Sequence, residues 1–202
     1  MGIITLMHLR SFIFYGISGS GKGTQAELLQ SYLKKNDPSR EVLYFSTGKQ
    51  LRQFAKGDSH TSTCVKEVLD SGGLLPAFLP IWAWTEWFIT HFDGTQNLIF
   101  DGLARRALEA PVLADALSFY GLENSYVILL NISREEATRR LKKRGRADDT
   151  DEEIKRRLDW FESEVMPAVD YFRSAPGFRF LDINGEQTVL NIHEDIINKI
   201  KN

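Results

Sequence analysis

The sequence predicts an α/β fold in which a parallel β-sheet is flanked by helices. Short apolar runs rich in Val, Ile and Phe alternate with longer stretches of helical period, and this alternation is typical of β-α-β units. A strand of a parallel sheet is covered on both faces, so it is apolar throughout, as in residues 126–130. A glycine-rich segment also joins the first apolar run to a helical pattern, a common arrangement for binding phosphate.

Strands and helices are predicted along the whole chain. Between Ser46 and Phe92 no run resembles a strand, and Pro76 and Pro80 divide a helical pattern, so we expect a helical insertion there. The predicted strands cover residues 12–17, 41–45, 97–101, 125–131 and 178–183.

Two helix starts carry the capping-box pattern, in which an N-cap hydroxyl and a carboxylate three residues later satisfy backbone N–H groups. Ser133 with Glu136 forms one pair, and Thr150 with Glu153 forms the other. The second pair opens one long predicted helix. Its apolar stripe consists of Ile154, Leu158, Phe161, Val165, Val169 and Phe172.

Length, charge and cysteine usage favour one cytoplasmic domain. The 202 residues suffice for a single core, and a net charge of -2 does not favour nucleic acid or an anionic membrane as a partner. Cys64 is the only cysteine, so an internal disulfide is excluded. The apolar N-terminus lacks a signal-peptide pattern, and the apolar residues 74–84 are too few to cross a bilayer. We expect a monomer with no membrane partner.

The glycine-rich segment, residues 16–24, is the P-loop pattern of NTPases. Its glycines allow the backbone N–H groups to converge on phosphate oxygens, and the following helix adds partial positive charge. Lys22 can reach the β and γ phosphates. Gly23 follows this lysine, and Thr24 comes next.

Asp101 ends the apolar run 97–101. A carboxylate at the end of a strand beside a P-loop can hold magnesium through the water shell of the ion. We therefore predict Mg²⁺, bound together with ATP, as the cofactor.

Arginine residues supply the positive charge that phosphoryl transfer between two polyanions requires. Arg140 and Arg144 are one helical turn apart and share a face. A basic helix end can also be an ordinary solvated face. The full set of candidates is Arg52, Arg105, Arg140, Arg144, Arg146 and Arg157.

Five segments resemble, in order, the motifs of adenylate kinases and related nucleoside monophosphate kinases of the short-lid type. Residues 19–25 read Gly-Ser-Gly-Lys-Gly-Thr-Gln, and residues 46–52 resemble the monophosphate-binding segment of that family. Residues 73–76 resemble its base-contacting stretch, and Asp-Gly-Leu-Ala-Arg at 101–105 resembles Asp-Gly-Phe-Pro-Arg. Residues 143–149, together with Arg157 and Leu158, resemble its lid.

The resemblance implies a role for each matching residue. Lys22, Arg105, Arg146 and Arg157 would be catalytic. The ATP-binding residues would be Gly19, Ser20, Gly21, Lys22, Gly23, Thr24 and Arg144. The residues that bind the nucleoside monophosphate (NMP) would be Thr47, Arg52, Gly73, Leu74, Leu75, Gly102, Arg105, Glu109, Arg146 and Arg157.

The resemblance also implies a P-loop NTPase fold with a five-stranded parallel sheet and a direct transfer from ATP to an NMP. The whole chain would be one kinase domain, residues 1–202, with a helical NMP-binding lobe at 46–75 and a very short lid at 144–149. The core would comprise residues 1–45, 76–143 and 150–202.

Three departures from the pattern of the family involve four positions. Lys49 replaces Asp, Leu103-Ala104 replaces Phe-Pro, and Glu109 replaces the Gln that adenylate kinases present to the acceptor base. An ionised carboxylate only accepts hydrogen bonds, which would suit guanine or cytosine, whereas an amide matches adenine. Thr47 is the adenylate-like choice, and Glu109 could instead be a solvated residue of a helix over 106–120.

The most favoured function is therefore adenylate kinase, with GMP, CMP or UMP as alternative acceptors. A catalytically weak nucleotide-binding regulatory module of the same fold is a second alternative, and a P-loop kinase for a non-nucleotide acceptor is a third. The retained set of arginines argues against a module that only binds, because binding alone needs no transition-state clamp.

Overall fold

The computed structural model describes residues 9–146 and 149–201. Its strands are β1 (Ser11–Gly16), β2 (Val42–Ser46), β3 (Asn97–Asp101), β4 (Ser125–Asn131) and β5 (Phe178–Asn184). They form one five-stranded sheet in the order β2-β3-β1-β4-β5, and every neighbouring pair is parallel. The predicted fold class is confirmed, and each strand lies within one residue of its predicted bounds.

Helices connect the strands. They are α1 (Lys22–Asn36), α2 (Thr47–Phe54), α3 (His60–Asp70), α4 (Phe78–His91), α5 (Glu109–Phe119), α6 (Arg134–Arg144), α7 (Asp151–Trp160), α8 (Met166–Ser174) and α9 (Val189–Lys201). A π-helical turn, Phe161–Val165, joins α7 to α8.

The core lies on both faces of the sheet, and β1 contributes to each. Ile13 and Tyr15 pack with residues of α4, α5 and α8 on one face, while Phe12 and Phe14 pack with residues of α1 and α9 on the other. Successive side chains of a strand point to opposite faces. Because both faces are covered, the central strand is apolar throughout, as the sequence predicts.

The predicted helical insertion between β2 and β3 consists of α2, α3 and α4. It has a small apolar cluster of its own, which contains Leu51, Val65 and Leu75 and extends to the start of α4. Trp84 and Phe88 of α4 are fully buried in the main core.

The predicted long helix is a continuous helical segment that includes the π-helical turn. Ile154 and Leu158, before the turn, pack against Leu141, whereas Val169 and Phe172, after it, belong to the main core. A π turn holds more residues than an α turn, so it rotates the following residues around the helix axis. One apolar stripe can therefore serve two different clusters.

One predicted capping box is complete and the other is half formed. The Thr150 hydroxyl accepts from the Glu153 N–H, and the Glu153 carboxylate accepts from the Thr150 N–H. The Ser133 hydroxyl likewise accepts from the Glu136 N–H. However, the Ser133 N–H donates to Glu186 at 2.6 Å instead. Glu136 is engaged with Arg139 and Arg140, so the reciprocal half of this box was wrongly predicted.

Across residues 9–146 and 149–201, no helix is both long enough and apolar enough to span a membrane. Ala147 and Asp148 of the predicted lid lie outside the described residues, as do residues 1–8 and Asn202 of the predicted core.

Candidate active site

A cavity of about 1260 Å³ opens at the carboxyl ends of the parallel strands. The glycine-rich loop follows β1, β2 ends at Ser46, and β3 ends at Asp101, so neighbouring strands bring these groups to one edge of the sheet. Ligands of such sheets bind outside the carboxyl ends of the strands. The cavity is larger than the roughly 300–1,000 Å³ typical of one small ligand. It has room for more than one.

The glycine-rich loop runs from the end of β1 to Lys22, the first residue of α1. Gly19 has a φ of +88°, and a Cβ at this position would lie 2.9 Å from the carbonyl oxygen of Ala137 on α6. Only glycine meets both conditions. Residues 18–25 line the cavity. The loop and the start of α1 therefore offer it backbone N–H groups and partial positive charge, which suit a phosphate chain.

The Lys22 ammonium is bonded to the glycine-rich loop and lies near the charged groups of Asp101, Arg105 and Arg144. Its Nζ donates to the carbonyl oxygens of Gly16 at 2.7 Å and Ile17 at 3.1 Å. Burial lowers the pKa of Lys22 to about 8, with Arg105 acting in the same direction and Asp101 opposing it. Phosphate oxygens can replace the two carbonyls and favour the charged ammonium.

Asp101 presents a carboxylate beside the glycine-rich loop. Its Oδ2 accepts from the hydroxyls of Tyr44 and Ser46, each at 3.3 Å, and a Cβ at Gly23 would lie 3.6 Å from it. Burial and the charge of Asp101 raise the pKa of Tyr44, so this phenol remains a neutral donor. The described residues contain no cluster of three or more His, Cys, Asp or Glu that could hold a metal alone. A single carboxylate is enough for Mg²⁺, because this ion keeps several of its water ligands and also binds the phosphates of the substrate.

Arg105 is positioned by Gly102. The Arg105 Nε donates to the Gly102 carbonyl at 2.9 Å, and a Cβ at Gly102 would lie 2.5 Å from the Arg105 Nη2. Between them Ala104, which stands where the family has proline, has a φ of +48°. The Tyr15 hydroxyl donates to the Ala104 carbonyl at 2.9 Å. Proline fixes φ at about −65° and could not adopt this conformation, so the burial of Ala104 and the bond from Tyr15 hold a turn that differs from a Phe-Pro turn.

Arg52 lies on α2, one turn after Gly48 and against it. A Cβ at Gly48 would lie 3.2 Å from the Arg52 Nη1. Thr47, the first residue of α2, is 3% exposed, and its hydroxyl has no hydrogen-bond partner among the residues with described positions. Thr47, Lys49 and Arg52 all line the cavity.

Glu109 is buried, so the interpretation of Glu109 as a solvated residue is wrong. The helix begins at this residue rather than at 106, and the Glu109 side chain turns back so that Oε2 accepts from the Arg105 N–H at 3.0 Å. Glu109 is 1% exposed and lines the cavity. Burial raises the pKa of its carboxyl to about 7, although Arg105 and Arg106 lower it.

Asp149 connects the arginines of the predicted lid. Its carboxylate accepts from the Arg144 Nη2 at 2.7 Å and from the Arg146 N–H at 3.1 Å, and Oδ1 lies 3.1 Å from the Arg157 Nη2. The pKa of Asp149 is lowered: burial opposes ionisation, but the bonds from Arg144 and Arg146 and the charge of Arg157 outweigh it. Arg144, Arg146 and Arg157 line the cavity.

Arg106 was missed by sequence reasoning. Its Nε and Nη2 donate to the carbonyls of Leu75 at 3.2 Å and Leu74 at 3.3 Å, and its Nη1 pairs with Glu164 at 2.7 Å. It therefore attaches the 73–75 segment to the π-helical turn. Arg106 directly follows the Asp-Gly-Leu-Ala-Arg motif, which was the available signal.

The loop between β5 and α9, together with the first residue of α9, forms part of the cavity wall and was also missed. Gln187, Thr188 and Val189 line the cavity together with Arg140 of α6. Arg140 donates to the Gly185 carbonyl at 2.8 Å, which ties α6 to this loop. These residue types are ordinary for a loop, but any loop after a parallel strand reaches the same edge of the sheet.

All but one of the predicted site residues line the large cavity. The exception is Gly102, which lines an adjoining cavity of about 30 Å³ together with Lys22 and Arg105. The structure thus gathers residues from 19 to 157 at one site, while the binding and catalytic roles assigned to them remain predictions.

Comparison with known proteins gives the same family along nearly the whole chain. Residues 14–176 match the sequence model of the adenylate kinase family. The chain is 32% identical to adenylate kinase 1 of Nostoc sp. over 189 residues, which cover 94% of this chain and 95% of that protein.

Two further relatives cover both chains to a similar extent. Identity to an adenylate kinase of Phocaeicola vulgatus is 33% over 193 residues, or 93% of this chain and 96% of the relative. Identity to an adenylate kinase of Leptospira biflexa is 30% over 196 residues, or 95% and 100% of the two chains.

Proposed function

The chain belongs to the adenylate kinase family, and we propose that it transfers the γ-phosphoryl group of ATP to AMP, giving two molecules of ADP. The observation that carries this proposal is that cations from different segments of the chain line one cavity. Lys22 and Arg144 lie on the side of the glycine-rich loop, and Arg52 and Arg105 belong to the segments after β2 and β3.

ATP is the donor in this proposal. Its β and γ phosphates bind the N–H groups of residues 19–24, and Lys22 leaves its carbonyl partners to neutralise them. The base and ribose lie toward Arg140 and the loop before α9, which line the same cavity. Arg144 covers the phosphate chain from the lid side.

The acceptor phosphate binds between Arg52 and Arg105. Each guanidinium packs against a glycine that leaves it space, Gly48 for Arg52 and Gly102 for Arg105. Two planar guanidinium groups recognise a phosphate by paired hydrogen bonds, which fixes both its position and its orientation.

The transfer step requires alignment and charge neutralisation more than covalent chemistry. An acceptor phosphate is already anionic, so its oxygen attacks without a general base. Negative charge on the γ-phosphoryl oxygens of the transition state is then stabilised by Lys22, Arg105, Arg146 and Arg157. Asp149 holds the lid arginines together and thereby reduces the reorganisation that closure demands.

Magnesium accompanies ATP in this proposal. Asp101 would hold it through water, with Tyr44 and Ser46 fixing the orientation of the carboxylate by their hydroxyls. The ion would neutralise the β and γ phosphate oxygens during transfer.

AMP is preferred over the other acceptors for two reasons. The relatives with high coverage are adenylate kinases by name, and Thr47 offers a buried hydroxyl to the base. A regulatory module that only binds nucleotide is less well supported, because such a module does not need a set of cations that stabilises a transition state. That set contains Arg52, Arg105, Arg146 and Arg157.

We further propose that residues 46–75 and 144–149 close over the substrates as lobe and lid. The separate apolar cluster of α2 and α3 supports this for the lobe. The cations that line the cavity come from one chain, which supports a monomeric enzyme, and its nucleotide substrates support the cytoplasm as its location.

The direct test measures ADP formation from MgATP with AMP, GMP, CMP or UMP as acceptor. We expect turnover to depend on the acceptor. The Lys22→Ala variant should lose about a hundredfold or more in kcat, because it removes a charge from the developing transition state.

The matched control is Lys34→Ala, which removes an exposed lysine from the last turn of the same helix. Its kcat should equal that of the wild type. If no acceptor supports ADP formation in the wild-type protein, the proposed function is wrong.

A further inference from the structure

Glu109 is an acidic side chain at a site that otherwise serves anions. It lines the cavity, is 1% exposed, and receives the Arg105 N–H on Oε2 at 3.0 Å. Its second oxygen, Oε1, is buried and has no hydrogen-bond partner within the described part of the chain. A buried polar atom without a partner is costly. A ligand that reaches Oε1 would supply the missing partner.

The position of Glu109 associates it with the acceptor base rather than with phosphate. The next residue after Arg105, Arg106, donates to the carbonyls of Leu74 and Leu75, so the loop before Glu109 lies against the 73–75 segment. Thr47, with a second unpartnered hydroxyl among the described residues, lines the same cavity. A carboxyl group facing phosphate would repel it, whereas the edge of a base carries hydrogen-bond donors.

The charged and titratable groups coupled to Glu109 are Arg105 and Arg106, in the loop before α5, and Tyr15 of β1. Arg105 and Arg106 favour ionisation, but burial outweighs them and raises the pKa of Glu109 to about 7. Part of the Arg106 charge is offset by Glu164 of the π-helical turn at 2.7 Å. Tyr15 of β1 is buried, and its pKa is raised far above its ordinary value, so it stays neutral.

We propose that the protonation state of Glu109 determines which acceptor base the enzyme uses, with the neutral acid selecting adenine and the carboxylate selecting guanine. This inference rests on the proposed function. In the neutral acid the proton lies on Oε1, because Oε2 already accepts from the Arg105 N–H.

The hydrogen-bonding edges of the bases explain the selection. The neutral acid donates from Oε1 to the adenine N1, and a remaining lone pair of the carboxyl group accepts from the adenine amino group. The carboxylate can only accept, so it leaves the adenine N1 facing an acceptor. Guanine presents its N1–H and its amino group, two donors that match a carboxylate. Rejection of a base by unpaired groups is a strong source of specificity.

The test measures kcat/KM for AMP and for GMP with MgATP between pH 5.5 and pH 9. Because Glu109 titrates near pH 7, from pH 6 to pH 8 the kcat/KM for AMP should fall about tenfold and that for GMP should rise about tenfold, so their ratio should fall about a hundredfold. In the Glu109→Gln variant the amide replaces the neutral acid at every pH. Its ratio should favour AMP and stay constant.

A binding measurement on the wild-type protein keeps the inference testable if the variant does not fold. At pH 8 AMP should bind with uptake of close to one proton, measured from the heat of binding in two buffers that differ in ionisation enthalpy, while GMP should take up none. Glu123→Gln, which alters an exposed carboxyl group, is the control and should behave as the wild type.

The results distinguish failure of this inference from failure of the proposed function. If AMP is phosphorylated but the ratio of AMP to GMP is constant with pH, or no proton is taken up at pH 8, the inference is wrong and the proposed function stands. If neither nucleotide accepts a phosphoryl group at any pH, the proposed function itself fails.

Discussion

Gly102 illustrates how a single residue without a side chain can determine where a charge lies. Its φ of +69° disfavours any other residue, and the Arg105 guanidinium occupies the space that a Cβ would take, with Nη2 2.5 Å from that position. The Asp-Gly of the motif is predictable from the sequence. The sequence does not show why glycine is needed there, because the reason is the position of the Arg105 side chain, which packs against Gly102.

The Gly102→Ala variant should therefore bind the acceptor poorly. The new methyl group displaces Arg105, and we expect the KM for the acceptor to rise tenfold or more while the KM for ATP changes little, as steady-state kinetics can measure. Gly94→Ala is the matched control, since Gly94 has a φ of +90° but no atom within 4 Å of its Cβ position. It should cost only about 1 kcal/mol of stability. Equal acceptor KM values in the two variants would contradict the assigned role of Gly102.

Glu109 should also make stability depend on pH. Its pKa is raised from 4.5 to about 7 in the folded state, so the folded state holds the proton more tightly, and stability falls as pH rises from about 4.5 to 7. Glu109→Gln removes this loss. The difference in free energy of unfolding between the variant and the wild type should therefore be more favourable to the variant at pH 8.5 than at pH 4.5, by up to about 3 kcal/mol.

Urea unfolding of both proteins at the two pH values checks this prediction without any substrate. A stability difference between variant and wild type that is the same at both pH values would show that Glu109 titrates normally. The sequence left two interpretations of Glu109 open, a residue facing the acceptor base and a solvated residue of a helix over 106–120. It could not decide between them, because the burial of Glu109 depends on how the side chain turns back to the Arg105 N–H.

At the scale of the elements, regular patterns were predictable and local irregularities were not. The strands follow from continuous apolar runs, and the Thr150 cap follows from residue spacing. The π-helical turn has no such signature, because the apolar stripe through Phe161 and Val165 reads as an uninterrupted α-helix. The Ser133 cap differs from its prediction because Glu186, distant in the sequence, competes for the Ser133 N–H.

Arg106, in the loop before α5, bonds to the 73–75 segment and pairs with Glu164 of the π-helical turn. These contacts give a prediction at the scale of the elements. Arg106→Ala loses both the pair and the bonds to Leu74 and Leu75, whereas Glu164→Ala loses only the pair. Arg106→Ala should thus raise the acceptor KM severalfold, and Glu164→Ala should raise it less. The pair is partly exposed, at 30% and 42%, so their coupling in a double-mutant cycle should be at most about 1 kcal/mol.

A surface arginine provides the control for this comparison. Arg134 of α6 pairs with Asp159 and Glu162 in a similar exposed setting but does not line the cavity. Arg134→Ala should leave the acceptor KM unchanged. If it raises the KM as much as Arg106→Ala does, the effect of Arg106 is not specific to the 73–75 segment.

At the scale of the whole molecule, the fold was predictable from the alternation of apolar and helical runs, and most of the site residues from the resemblance to the motifs of the family. The parallel sheet explains why several of these motifs converge. In a parallel sheet all loops after the strands meet at one edge, so motifs far apart in the sequence converge once the strands are assigned. The wall formed by Gln187, Thr188 and Val189 was not predicted, because these residues carry no distinctive chemistry. Asp149 lies in the segment predicted as the lid, but its contacts with Arg144 and Arg157 depend on tertiary structure.

The central claim is that the cavity joins a donor site and an acceptor site for direct transfer. The most direct test is to incubate the protein with Mg²⁺, AMP and ATP labelled in its γ-phosphoryl group, and to separate the products. We predict that the label moves to ADP at a rate that increases with AMP and falls in Lys22→Ala. Label released only as inorganic phosphate, or retained in ATP, would contradict this claim.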